Sequence, residues 1–127
     1  MSDWILDASA ILVVLNREPG CEKVEALLPG AFVSSVNLAE VAGKLADLGM
    51  PLPDMRAAIE ALGLIIVDFD AQMALETGSL RPVTRKAGLS LGDRACLAAA
   101  KVLKKSVLTA ARMWIGLKTG VKIRSVR

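Results

Sequence analysis

Trp4-Ile5-Leu6-Asp7-Ala8-Ser9-Ala10-Ile11-Leu12-Val13-Val14-Leu15 is among the most apolar stretches of this chain, and one acid interrupts it. An ionised carboxylate among residues that bury is costly unless a cation or several donors pair with it. Trp4–Leu6 reads as a short buried strand ending at Asp7, and Ser9 as the cap of a helix running to about Leu15. The same succession recurs. Ala31–Ser34 reads as a strand, followed by a helix over Val36–Leu48 that Ser35 caps and Gly49 and Pro51 close. Pro53 opens another helix to about Leu62. Leu64–Val67 is a third strand, and Asp70 caps a helix to about Leu80. Ser90 opens a helix over Leu91–Lys104, and Ser106–Thr109 is a fourth strand. Between these lie a short helix over Cys21–Leu28 and a polar loop over Arg81–Gly88. A short helix at Met113-Trp114 and an edge strand within Val121–Val126 complete the chain. Apolar strands without alternation, separated by helices, predict a parallel sheet covered on both faces.

The 127 residues are 54% hydrophobic and 23% charged, which suits one compact domain with a sizeable core. Tyr is absent and Phe and Trp are few, so that core is aliphatic. Histidine is absent altogether. This excludes a Ser-His-Asp triad, a Cys-His dyad and any histidine metal ligand within the chain. An oxygen-only site favours hard cations such as Mg²⁺ or Mn²⁺. Cys21 and Cys96 match no zinc or redox spacing and read as reduced thiols of a cytosolic protein, with Cys96 in the core. No signal peptide is legible, and no uncharged run reaches the roughly 18–20 residues a bilayer span needs.

Charge is unevenly distributed. All 13 acids lie at or before Asp93, so residues 1–93 carry −6 against 7 basic groups, while residues 94–127 carry +9. This asymmetry fits either a polyanionic partner or a solvated helix face with a basic tail.

Three isolated acids stand where strands end or helices begin: Asp7, Glu40 and Asp93. Each has a structural explanation. Asp7 can accept from the amides that open its helix. Asn37-Leu38-Ala39-Glu40 and Ser90-Leu91-Gly92-Asp93 both have the form of a capping box. Parallel α/β sheets, however, bind ligands beyond the carboxyl ends of their strands. Asp7 lies at such an end, and Ala110 and Ala111 directly follow the fourth strand. Three acids converging in a histidine-free site would repel one another unless a divalent cation held them.

These segments resemble a known family. Ile5-Leu6-Asp7-Ala8-Ser9-Ala10 is similar to the opening of PIN-domain nucleases, Leu38-Ala39-Glu40-Val41 to their second acidic motif, and Leu89-Ser90-Leu91-Gly92-Asp93-Arg94-Ala95-Cys96-Leu97-Ala98 to their third. Val107-Leu108-Thr109-Ala110-Ala111-Arg112-Met113-Trp114 resembles the fourth, with Ala111 where the family has an acid that ligates metal. The order and spacing cover essentially the whole chain, and the likeness is strongest to VapC-type toxins of bacterial toxin–antitoxin pairs. An isolated acid-to-alanine change with every neighbour intact is what an inactivating substitution, introduced or natural, would leave.

The resemblance implies a three-layer α/β/α domain over residues 1–127 with a central, mostly parallel sheet. It implies a cytoplasmic, magnesium-dependent endoribonuclease toxin, with Mn²⁺ as an alternative cofactor, weakened by Ala111. Asp7 and Asp93 would hold the metal, and Glu40 would orient or deprotonate water. Ser9 and Thr109 would position carboxylates or water, and Arg112 would contact a phosphate. A homodimer and a cognate antitoxin are implied as partners, with RNA as substrate and no membrane. The alternative is a non-catalytic PIN-like module that binds RNA or an antitoxin. A haloacid dehalogenase-type phosphatase would need an Asp at Ser9, and no glycine-rich phosphate loop is present.

Overall fold

The computed structural model describes residues 2–112, 114 and 116–126. Five strands form one sheet in the order β3-β2-β1-β4-β5, with every pair parallel. They are β1 (Trp4–Leu6), β2 (Phe32–Ser34), β3 (Ile65–Val67), β4 (Ser106–Thr109) and β5 (Ile123–Ser125). Helices α1 (Ala8–Leu15) and α2 (Cys21–Glu25) connect β1 to β2, and α3 (Ser35–Asp47) and α4 (Leu52–Glu60) connect β2 to β3. Then α5 (Ala71–Ser79), α6 (Arg81–Thr84) and α7 (Leu91–Leu103) return the chain to β4, on the far side of β1. The fold class expected from the sequence is therefore the one observed, with the final strand parallel as well.

Successive strand residues face opposite layers, and this divides the core in two. Ile5, Phe32 and Val107 pack with the α7 residues Cys96 and Leu97 and with Met73, Leu80 and Trp114. Leu6, Val33 and Leu108 pack with Ile11 and Val13 of α1, Val24 of α2, and Val41 and Leu45 of α3. Both faces of the central strands β2, β1 and β4 are largely buried, which is why they read as continuous apolar runs, while Ile65 and Ile66 of the edge strand β3 stay exposed.

Several local expectations are corrected. Asp7, not Ser9, caps α1, because β1 ends at Leu6 and the helix starts at once; the Asp7 carboxylate accepts from the Ala10 amide. Ser34, not Ser35, caps α3. Ser35 is already helical, and its hydroxyl accepts from the Phe69 amide beyond β3 instead. The segment expected as a polar loop contains α6, where Pro82 in the first turn supplies a helix-ready φ. The Asp70 cap and the Ser90 capping box are both present. Cys96 is buried, as expected of a core residue. The short helix expected at Met113-Trp114 falls partly outside the described residues; Trp114 itself is buried. Among the described residues no helix is long and apolar enough to cross a membrane.

Candidate active site

The chain runs outward from β1 to β3, then crosses back to β4 on the other side of β1. The strand order thus reverses between β1 and β4, and a crevice opens at the carboxyl ends of those two strands. Leu6 is in register with Leu108, so the next residue of each strand, Asp7 and Thr109, meet across the switch point.

Asp7 is buried, with 4% exposure, and three groups satisfy its carboxylate. The Ala10 amide donates to Oδ1 at 2.9 Å, and the Ser9 hydroxyl lies 2.7 and 2.9 Å from the two oxygens. The Thr109 hydroxyl donates to Oδ2 at 2.7 Å. Both hydroxyls are themselves fixed: the Ala110 amide donates to Ser9 Oγ at 2.9 Å, and the Ala111 amide to Thr109 Oγ1 at 3.0 Å. The backbone of the fourth motif therefore sits directly behind the Asp7 carboxylate. Ala111 is half-buried, and Arg112 follows it, exposed to solvent.

Glu40 on α3 and Asp93 on α7 stand where those two helices meet. The buried Asn37 amide donates to Glu40 Oε1 at 2.8 Å and to the Gly92 carbonyl at 3.0 Å, tying the two helices together. Two acceptors at one end of the amide identify that end as nitrogen. Asp93 closes the capping box, with Oδ2 accepting from the Ser90 amide at 2.9 Å. Its structural role is realised, and one oxygen is left for other work. Asn37 is not a cap as its spacing suggested; it is a clamp inside α3. A polar residue within the buried stripe of a helix is the sequence signal that could have revealed this.

Gly92 is the second residue the sequence reading passed over. A Cβ at Gly92 would overlap both oxygens of the Glu40 carboxylate. The missing side chain is what lets Glu40 lie against α7. Gly92→Ala is expected to leave stability unchanged or raise it by up to about 1 kcal/mol, since Ala is the better helix former. Glu40 is exposed and can swing away. Thermal melting and a crystal structure of the variant check both halves; a large loss of stability would mean that Glu40 is held rigidly.

Burial and neighbouring charge shift two groups of this region. Burial pushes the Asp7 carboxyl up from its ordinary value, the Thr109, Ala10 and Ser9 hydrogen bonds oppose this, and the negative charge of Asp93 adds to it. Burial pushes the Cys96 thiol well up, and Asp7, Asp93 and Glu40 all push it the same way. One buried thiol on α7 thus feels all three acids.

This donor set fits a hard divalent cation in kind: all oxygen, mutually repelling, and costly to keep charged without a counter-ion. In number it falls short. Among the described residues no three His, Cys, Asp or Glu side chains gather as a set able to hold a metal ion. Ala111 follows directly behind the Asp7–Thr109 pair, and its methyl group offers no donor.

Residues 4–113 match the family model of the PIN domain. No curated protein sequence is significantly similar to this chain. Solved structures are similar in fold. A toxin–antitoxin complex from Klebsiella pneumoniae superposes with a TM-score of 0.75 at 16% identity, covering 97% of both chains. VapBC2 from Rickettsia felis, bound to a DNA fragment from its promoter, gives 0.75 at 17%, covering 96% of this chain and 97% of that one. DNA-bound VapBC from Salmonella typhimurium gives 0.73 at 22%, covering all of both chains.

Proposed function

The chain belongs to the PIN-domain family, and on that premise we propose that it is a metal-dependent endoribonuclease of the VapC type, the toxin of a toxin–antitoxin pair, weakened at Ala111. The reading takes residues 1–127 as one domain acting in the cytoplasm, where Cys21 and Cys96 stay reduced. The observation that carries it is the buried, hydroxyl-held Asp7 at the switch point, with Glu40 and Asp93 on two helices that the Asn37 amide ties together.

Asp7 and Asp93 would hold Mg²⁺, or Mn²⁺ in its place. When bound, such an ion supplies charge neutralisation at the phosphate and a more acidic water. The chain's own residues do the rest. Ser9 and Thr109 fix the Asp7 carboxylate in one orientation. Asn37 and Gly92 aim Glu40, which accepts a proton from the attacking water. Arg112, exposed beside the mouth, contacts a phosphate of the RNA. Cleavage assays on folded and unfolded RNA, with and without Mg²⁺, test the reading in the Ala111→Asp chain. Absence of metal-dependent cleavage there would favour the alternative of a PIN-like module that binds without cutting.

The solved relatives are complexes with antitoxins, and a cognate antitoxin is proposed here as well. Leu48 and Leu52, at the turn between α3 and α4, are 73% and 63% exposed, and Leu75 and Leu91 are also open to solvent. Apolar side chains left outside are available for a homodimer or an antitoxin segment. Light scattering of the isolated chain at micromolar concentration is expected to give a dimer mass; a monomer would remove that part of the reading.

A further inference from the structure

Four lysines of the carboxyl-terminal third, Lys101, Lys104, Lys105 and Lys122, do not gather at the acids. Helix α7 starts beside Glu40 with Gly92 and Asp93, and runs for 13 residues to Leu103. At about 1.5 Å per residue it carries the chain roughly 20 Å away. There Lys104 and Lys105 lead into β4, and the Val107 amide donates to the Lys122 carbonyl at 2.8 Å, bringing Lys122 alongside. With Lys101 these lysines line an open groove at the amino-terminal edge of the sheet. The basic edge continues past half-buried Trp4 to Arg124, whose guanidinium lies 5.9 Å from the indole centroid.

Lys101, Lys104, Lys122 and Arg124 are exposed. Among the described residues Asp3 is the only acid lining the groove, and it meets Lys105 at a long 3.9 Å with its own side chain 98% exposed. Such a pair neutralises little. The carbonyl end of α7 attracts cations, but its partial charge is about half a unit. That accounts for one lysine and leaves three in excess.

We propose that this groove is a second binding surface, for the phosphate backbone of an RNA whose scissile region lies at the acids. The proposal rests on the ribonuclease reading and extends it. Lysines act as point charges that neutralise phosphates without reading bases. Trp4 adds a partly open aromatic face, which suits stacking by an unpaired base. A nucleic-acid duplex carries about one charge per 1.7 Å, so the roughly 20 Å between the acids and the lysines corresponds to about a dozen phosphates. The surface therefore selects folded RNAs long enough to reach both ends of the sheet, while short strands engage the acids alone.

The test compares this chain with a Lys101→Gln, Lys104→Asn, Lys122→Gln variant. Lys104 has a left-handed backbone, which Asn accepts well. All three are surface residues, and equal thermal midpoints check the fold. With bulk tRNA as the probe, the variant is expected to bind at least about tenfold more weakly near 0.1 M salt, with a log–log salt slope smaller by about three. An oligonucleotide of about four bases, which at about 3.4 Å per base of one strand falls short of the roughly 20 Å between the two ends, is expected to bind both proteins equally. Unchanged tRNA affinity and slope would overturn the proposal. So would displacement of tRNA by polyglutamate at equal charge concentration, which would mark the groove as a docking site for an acidic polypeptide. In the Ala111→Asp background the three changes are expected to slow cleavage of folded RNA and not of the short strand. If that background cleaves nothing, the nuclease reading fails, while the binding comparison still decides the groove.

Discussion

Replacing Ala111 with Asp is expected to raise RNA cleavage by about 10²–10³-fold and divalent-metal affinity by at least about tenfold. A metal's stabilisation of developing charge is worth several kcal/mol, and each ~1.4 kcal/mol is a factor of ten in rate. Ala111 lies one residue beyond the partner of the Ser9 hydroxyl, and its own amide is anchored to Thr109. A carboxylate there would emerge near Asp7, since the Ala111 amide bonds the same Thr109 hydroxyl that donates to Asp7, and would add the oxygen donor this position now lacks. Mg²⁺ tolerates poor geometry badly, so the present chain should bind it weakly. Folding should change little, since the position is half-buried and its amide keeps its bond. Titration calorimetry with Mg²⁺ and Mn²⁺, RNA cleavage and growth arrest on expression form the measurement. Equal cleavage by the two chains would show that position 111 is not a required ligand position.

Asp7→Asn, made in the Ala111→Asp chain, is expected to remove that cleavage again, by about 10² or more, yet to stabilise the metal-free fold. Asn caps a helix as well as Asp does, and Thr109 can accept from the new amide as readily as it donated to the carboxylate. What disappears is a charge that burial and Asp93 both disfavour. A gain of about 1 kcal/mol, or roughly 4 °C in a domain of this size, is the scale of such a trade between function and stability. The sign with pH follows. The Asp7 carboxyl is raised in the folded state, so the fold binds its proton more tightly than the unfolded chain does. Stability from this group is complete below the unfolded value of 3.8 and is lost as pH rises through the folded one. The parent should therefore lose stability over that window, and the Asn variant should not show this loss. Added Mg²⁺ should reverse the order, because only the parent gains from binding. Thermal melts from pH 4 to 7, with and without Mg²⁺, decide it; a lower melting point for the Asn variant at pH 7 without metal would mean that the hydroxyl bonds outweigh burial.

The central strands were legible because burial on both faces leaves an apolar run with no alternation, and such runs lie in consecutive residues. Asp70 and Ser90 were legible as caps for the same reason: the cap and the amides it serves are three residues apart. At Ser9 and Ser35 that local logic failed, because a partner distant in sequence claimed each hydroxyl, Thr109 with Ala110 in one case and Phe69 in the other. The acids stood out as charges in apolar surroundings, and their motifs could be aligned with a family. The meeting of Asp7 with Thr109 could not be read locally. It depends on the strand order, which places residues 7 and 109 side by side through packing summed over the whole sheet. The fit of Glu40 into the space left by Gly92, and the clamp made by Asn37, depend on how α3 and α7 cross. Composition likewise revealed that the last third is basic, but net charge has no direction. Only the length of α7 and the pairing of β4 with β5 set those lysines at the end of the sheet opposite the acids.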